Sequence, residues 1–245
     1  MTNRKEDRVV VVTGASRGIG RAAALMLAAA GAHVIAVART VGALEELDDE
    51  IRAKGGAATL VPLDLKDFAG IDRLGAAIFS RWGRLDGLLG NAGLLGAMTP
   101  LAHLEPKVWE DVMAVNVTAN WRLIRSLDPL LRRSDAGRAV FLTSGVTYSF
   151  PPYWSAYSVS KAALEALVRT YAGEVAQTTV RANLVNPGPL RTKMRAQAMP
   201  GEDPNALKPP DALVPDLVRM LSPDFDRNGV LFDFPTGETR EFSAG

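Results

Sequence analysis

The chain has 245 residues, 47% of them hydrophobic and 22% charged, a globular composition that excludes wholesale disorder, a collagen repeat and a coiled-coil rod. Its formal charge is +1, from 28 basic and 27 acidic residues spread along the sequence, which argues against nucleic acid or an anionic membrane as the main partner, since both need a concentrated basic face. It has no cysteine, so a disulfide framework, a zinc ribbon and a cysteine nucleophile are excluded.

Strand and helix signals alternate along the chain. Residues 8–13 are a β-branched apolar run, hence a buried strand. Residues 19–30 are rich in Ala and Leu and predict a helix capped by Gly31, and 33–38 are the second strand. Over 41–54, Leu44, Leu47 and Ile51 recur at spacings of three and four, the period of an amphipathic helix, which Gly55-Gly56 ends. A third strand follows at 59–63, a helix at 68–82 with Phe68, Ile71, Leu74 and Ile78 on one face, and a fourth strand at 85–89. One long helix is predicted over 106–131, with Pro106 suited to its first turn. A fifth strand at 139–143, a second long helix at 156–176, a sixth strand at 180–185 and a seventh at 230–234 complete the pattern.

Repeated strand–helix units with apolar strands predict an α/β fold: one doubly wound parallel sheet of about seven strands with helices on both faces. Its ligand crevice lies beyond the carboxyl ends of the strands. No linker, internal repeat or low-complexity segment divides the chain, so residues 1–245 read as a single domain. Seven prolines fall between Pro187 and Pro215, and the stretch 189–215 reads as a lid-like insertion over the crevice. The apolar run at 9–12 is far too short for a signal-peptide core. The uncharged stretch 22–38 is interrupted by Gly31-Ala32-His33 and misses the roughly 20 residues needed to cross a bilayer. A soluble, cytoplasmic protein is expected.

Thr13-Gly14-Ala15-Ser16-Arg17-Gly18-Ile19-Gly20 follows the first strand and opens the first helix. Glycines allow a tight turn and a close approach to a ligand, and the free N–H groups of the helix favour a pyrophosphate. A glycine-rich turn by itself also serves as a plain strand-to-helix connection; its place in the first βα unit favours the Rossmann-type, dinucleotide-binding reading. The spacing Thr-Gly-x-x-x-Gly-x-Gly is where the chain resembles the short-chain dehydrogenase/reductase family. The resemblance runs on through Asp64 and Leu65 after the third strand, Asn91-Ala92-Gly93 after the fourth, Asn116, Ser144, Tyr157 with Lys161, and Pro187-Gly188 with Thr192. Within the family the chain looks closest to a bacterial oxidoreductase branch, the YciK type, through segments such as Asn91-Ala92-Gly93-Leu94-Leu95-Gly96 and Thr192-Lys193-Met194-Arg195-Ala196. One departure is Gly90, where many members have Asn, a change expected to loosen the turn beneath the adenosine.

The resemblance implies a catalytic set of Asn116, Ser144, Tyr157 and Lys161. It implies a dinucleotide site at Gly14, Ser16, Arg17, Gly18, Ile19, Gly20, Arg39, Asp64, Leu65, Asn91, Ala92, Gly93, Tyr157, Lys161, Pro187, Gly188 and Thr192. Tyr157 and Lys161 are four apart on a helix and share a face. A phenol donates a proton well but is a poor base at neutral pH; a nearby ammonium and an oxidised nicotinamide are expected to lower its pKa. Tyr157 is the expected acid/base and Ser144 the group that holds the substrate oxygen. Lys161 is expected to tune Tyr157 and bond the nicotinamide ribose, and Asn116 to hold a relay water.

The second strand ends Ala36-Val37-Ala38-Arg39-Thr40, without the acid that an NAD enzyme places there for the ribose 2′-hydroxyl. Arg39 and Arg17 can instead pair with a 2′-phosphate, so NADP(H) is expected in preference to NAD(H). The expected substrate is a small carbonyl or alcohol compound, apolar or aromatic, facing Leu94, Leu95, Met98, Val146, Tyr148, Phe150, Tyr153, Trp154, Met194 and Met199. His33 and His103 read as surface residues with no metal site around them. The expectation is an NADP-dependent carbonyl reductase or alcohol dehydrogenase; a 3-oxoacyl thioester reductase and a non-catalytic NADP-binding module stay as alternatives. The resemblance also implies a homodimer or homotetramer, with no nucleic-acid or membrane partner.

Overall fold

The computed structural model describes residues 8–242. Eight strands form one sheet: β1 (Val9–Thr13), β2 (His33–Ala38), β3 (Ala57–Pro62), β4 (Gly87–Gly90), β5 (Arg138–Leu142), β6 (Arg181–Asn186), β7 (Val230–Asp233) and β8 (Glu238–Glu241). Their spatial order is β3-β2-β1-β4-β5-β6-β7-β8. All neighbours run parallel except β7 and β8, which pair as an antiparallel hairpin. The order reverses between β1 and β4, and that switch point opens a crevice at the strands' carboxyl ends.

The period-two alternation of β1 shows how the core is split. Val9 and Val11 enter one hydrophobic cluster and Val10 and Val12 the other, as a strand buried on both faces requires. The first cluster is covered by α3 (Phe68–Trp82), α5 (Ala119–Leu131) and α7 (Ser155–Val175). The second lies under α1 (Gly18–Ala29), α2 (Val41–Ala53) and α9 (Val214–Leu221).

The predicted long helix over 106–131 is two α-helices, α4 (Pro106–Met113) and α5, joined without a break by a π-helical turn at Ala114–Thr118. A single π turn inside an α-helix often marks a functional position, and Asn116 sits within this one. The Pro-rich stretch is more regular than expected. It holds α8 (Lys193–Ala198), 3-10 turns at Pro204–Ala206 and Pro210–Ala212, and the start of α9. A further short helix, α6 (Val146–Ser149), lies between β5 and α7. His33, expected on the surface, is half-buried: its Nε2 lies 2.8 Å from Thr59 Oγ1 and its ring centroid 5.1 Å from that of Trp82. Among the described residues, no helix is long and apolar enough to cross a membrane.

Candidate active site

The glycine turn between β1 and α1 is built to hold a ligand at its backbone. Gly14 and Gly18 have φ of +67° and +56°, in the left-handed region that glycine enters without strain. A Cβ on Gly20 would overlap the Gly14 carbonyl oxygen and Asn91 Nδ2. Helix α1 has no side-chain N-cap bond and no acid in its first turn, so the positive end of its dipole is left for an anion.

Asn91 braces this turn from the neighbouring strand. Its Nδ2 donates to the Thr13 carbonyl at 2.8 Å, and its backbone N–H donates to Thr13 Oγ1 at 3.0 Å. The Ala92 N–H donates to the same hydroxyl at 3.1 Å, and that hydroxyl donates to the Leu89 carbonyl at 3.2 Å. Gly90, expected to loosen the turn, is closely packed by its neighbours. A Cβ there would overlap the Phe141 ring and stand 3.0 Å from Asn120 Oδ1, so neighbouring side chains already occupy the space.

Asp64 is half-buried and accepts the Lys66 N–H on Oδ1 at 2.9 Å, while the Leu65 side chain is buried in the core. Leu65 therefore has only its backbone to offer an adenine. Arg17 and Arg39 are both exposed, and neither side chain makes a hydrogen bond or ion pair with the described residues. Ser16 and Ile19 lie half-buried in the turn, and Ile19 also lines the main cavity.

The four residues of the expected catalytic set are placed by the ends of β5, the π turn and one face of α7. Tyr157 and Lys161 are both buried on α7. Lys161 Nζ donates to the Leu142 carbonyl at 2.7 Å and stands 5.7 Å from the centroid of the Tyr157 ring. Burial pushes the Tyr157 phenol above its ordinary range, and a side-chain hydrogen bond with Ser144 draws it back. The expected lowering by a neighbouring ammonium is not what governs this phenol; desolvation outweighs the rest. Burial also brings Lys161 down to about 8, against the opposing charge of Glu165.

Asn116 bonds three protein groups through its side chain. Its Oδ1 accepts the Leu94 N–H at 2.8 Å, and its Nδ2 donates to the Leu94 carbonyl and to Ser160 Oγ, both at 2.9 Å. These bonds clamp the 94–95 loop to α7. Gly93 lies between the two groups: a Cβ on it would stand 3.4 Å from Asn116 Oδ1 and 3.7 Å from Lys161 Nζ.

A cavity of about 380 Å³ opens beside Ser144 and Tyr157. Leu95, Val146, Trp154 and Met194 line it, with Pro187, Gly188 and Thr192 on the glycine-turn side. Met98 packs against the same cluster, and the Trp154 and Tyr157 rings are 5.8 Å apart. Tyr148, Phe150, Tyr153 and Met199, also expected at the substrate, are exposed and absent from the cavity wall. Arg195, on α8, reaches the cavity but is held by Glu202 in two bonds of 2.6 Å. The loop before α7 carries backbone strain at Phe150, Tyr153 and Ser155, with φ of 43°, 72° and 28°. Ser155 Oγ donates to the Thr99 carbonyl at 2.6 Å, which ties this loop to the opposite wall.

One part of the site escaped the sequence reading. Buried Asp233, at the end of β7, accepts from Asn186 Nδ2 at 2.6 Å and from Thr236 Oγ1 at 2.8 Å. Asn186 Oδ1 accepts the Gly188 N–H at 3.1 Å, and a Cβ on Gly188 would overlap Pro235. The β7–β8 turn thus supports the Pro187-Gly188 segment. The signal was present: Asp233 is an acid following the apolar run Val230-Leu231-Phe232.

The comparisons with known proteins identify the family. The model of the short chain dehydrogenase family matches residues 8–203. The oxidoreductase YciK of Escherichia coli K12 is 40% identical over 235 residues, covering 94% of this chain and 93% of that protein. A short chain dehydrogenase from Shigella flexneri, solved in complex with NADP, superposes with a TM-score of 0.89 at 40% identity, covering 93% of this chain and 96% of that one. A short chain dehydrogenase from E. coli CFT073, solved with NADPH, gives a TM-score of 0.87 at 40% identity, over 93% and 96% of the two chains. By sequence, sheet order and site geometry, this chain belongs to the short-chain dehydrogenase/reductase family of oxidoreductases, and within it is similar to the YciK branch.

Proposed function

We propose that the protein is an NADP-dependent oxidoreductase acting on a carbonyl/alcohol substrate, with Tyr157 as the acid/base. The observation that carries this reading is the convergence of Ser144 and Tyr157 on the cavity that Gly188 and Thr192 also line, with Lys161 Nζ 5.7 Å from the Tyr157 ring centroid. The glycine turn, the open end of α1 and the unpaired cations of Arg17 and Arg39 fit a dinucleotide that carries a 2′-phosphate, and the NADP and NADPH complexes of the two structural relatives support it.

The backbone around Gly14, Gly18 and Gly20 would cradle the pyrophosphate, with Ser16 and Ile19 beside it. Arg17 and Arg39 would grip the 2′-phosphate. Asp64 and Leu65 would meet the adenine, and Asn91, Ala92 and Gly93 the adenosine side. Pro187, Gly188 and Thr192 would flank the nicotinamide. When bound, NADPH supplies the hydride for the carbonyl carbon. Ser144 holds the substrate oxygen, and Tyr157 delivers a proton to that oxygen in reduction or takes it in oxidation. A phenol is protonated at neutral pH, which suits Tyr157 to the donor role, and burial acts in the same direction. Lys161 positions the ribose and restores the proton, and Asn116 keeps the 94–95 wall against α7.

The mainly apolar wall favours an apolar or aromatic carbonyl compound. Residues 189–215, with α8 on the cavity side, form the lid. A homodimer or homotetramer would be built through the two long helical stretches, α4–α5 and α7; exposed Trp109 and Trp121 on the first support this.

The test is oxidation of NADPH and of NADH over a panel of quinones, aromatic aldehydes, diketones and acetoacetyl thioesters. Turnover of an aromatic or apolar carbonyl with NADPH is the expected result. Turnover confined to thioesters would make it a 3-oxoacyl thioester reductase, and tight NADPH binding without turnover a non-catalytic module.

A further inference from the structure

Helix α7 carries a third ionisable side chain in register with Tyr157 and Lys161. Glu165 lies one turn further on, so the three share a face. It is 8% exposed, and the nearest cation, Arg169 Nη2, is 3.6 Å from its Oε2. Such a carboxylate needs strong hydrogen-bond donors. They come from the segment that presents Ser144. Glu165 Oε1 accepts from Thr143 Oγ1 at 2.6 Å and lies 2.7 Å from Thr147 Oγ1. Thr147 Oγ1 is also 2.9 Å from the Ser144 carbonyl oxygen, so its single proton has two acceptors beside Ser144. Thr143 is itself fixed to the sheet, its N–H donating to the Val185 carbonyl at 2.8 Å.

Glu165 is also four residues from Lys161 on the same helix, one turn away. The remaining groups around the Lys161 ammonium are the Tyr157 ring on α7, the neutral Leu142 carbonyl from β5, and Gly93 and Asn116 from the opposite loop and π turn. Glu165 is the charged side chain that opposes the effect of burial on Lys161. Arg169 on α7 is the cation beside Glu165, and Tyr148 on α6 also feels its charge.

We propose that Glu165 is a positioning residue of the reaction centre: its carboxylate clamps the segment bearing Ser144 and sets a negative charge behind Lys161. This rests on the roles given above to Ser144, Tyr157 and Lys161. Thr143 and Thr147 fix the approach of Ser144 to Tyr157, and the charge of Glu165 keeps the buried lysine an ammonium at neutral pH.

The experiment compares the wild type, Glu165→Gln and the double variant Thr143→Val/Thr147→Val. Lys161 is titrated in the NADP⁺ complex by NMR of [13Cε]lysine, its signal assigned with Lys161→Arg. Steady-state kinetics with NADPH use the carbonyl found in the panel. In Glu165→Gln the Lys161 midpoint falls by on the order of one pH unit, and kcat drops about tenfold or more, while KM and the Kd for NADPH change less than about threefold. In the double variant kcat falls and the Lys161 midpoint stays, which separates clamp from charge. An unchanged Lys161 midpoint in Glu165→Gln overturns the charge role, and unchanged kcat in the double variant overturns the clamp. Should Glu165→Gln not fold, Glu165→Asp carries the test: a retained midpoint with reduced kcat supports the proposal, and both retained overturns it. A Tyr157→Phe enzyme that still turns over would sink the parent reading; an inactive Tyr157→Phe beside an indifferent Glu165→Gln sinks only this one.

Discussion

The Lys161 ammonium donates a 2.7 Å hydrogen bond to the carbonyl of Leu142, two residues before Ser144, and in doing so is sealed from water. Desolvation brings this lysine from 10.5 to about 8. The folded state therefore disfavours the charged form, by about 3 kcal/mol. The cost is fully present below pH 8 and is relieved as pH rises toward 10.5, because the unfolded chain holds the proton longer. Urea unfolding between pH 8 and 10 should show stability rising with pH in the wild type and a flatter profile in Lys161→Met. Above pH 10 the raised phenols of Tyr157, Tyr148 and Tyr171 act in the opposite sense.

Tyr157→Phe should keep NADPH affinity within about twofold and lose turnover by about 100-fold or more, the usual weight of a general acid. Fluorescence titration with NADPH and initial rates on a carbonyl reduced by the wild type check both halves. Near wild-type rates would remove Tyr157 from the chemistry.

Arg39→Asp should move preference from NADP toward NAD, since the cation for a 2′-phosphate is replaced by an acceptor for a 2′-hydroxyl. Arg17→Ala should weaken NADPH binding more than NADH binding. The ratio of kcat/KM for the two cofactors is the measurement, and an unchanged ratio in both variants would defeat the assignment.

Gly188→Ala and Gly31→Ala form a matched pair. Both positions have positive φ, +62° and +88°, so alanine is strained at each by about 1 kcal/mol. A Cβ at Gly31 meets open space, whereas at Gly188 it overlaps Pro235. Thermal unfolding should show Gly188→Ala to be the more destabilised, and it alone should weaken NADPH binding. Equal losses would mean that Pro235 yields freely.

Most of the sheet could be read from apolar period. Residues 9–12 and 34–38 are continuous apolar runs that only a strand buried on both faces explains, and 41–54 repeats at the helical period. Strand β8 escaped because it reads Glu-Thr-Arg-Glu and is mostly exposed; only its backbone pairing to β7 makes it a strand. The Pro-rich stretch looked irregular because proline was taken as a breaker. Pro204, Pro210 and Pro215 instead stand at the first or second position of helical turns, where the missing N–H is no loss. The π turn was invisible, since one extra residue in a turn leaves the apolar faces of α4 and α5 nearly aligned.

The motif residues around Gly14, Tyr157 and Lys161 were found because chemistry ties them to short spacings. Asp233, Asn186 and Pro235 were missed because Asn186 and Asp233 are 47 residues apart, and an acid that closes an apolar run does not reveal the partner it meets. The effect of burial on the phenol was not legible for a related reason: proximity of a lysine is visible in a sequence, but exclusion of solvent is not.

The reliance of Gly188 on Pro235 and of Asn186 on Asp233 has an outcome during synthesis. A polypeptide still emerging from the ribosome has its glycine turn, tyrosine and lysine long before residue 236, yet lacks the buttress behind the Pro187-Gly188 segment until that point. With the dinucleotide seated as proposed, a chain truncated ahead of this hairpin should lose its hold on the nicotinamide before its hold on the adenosine half.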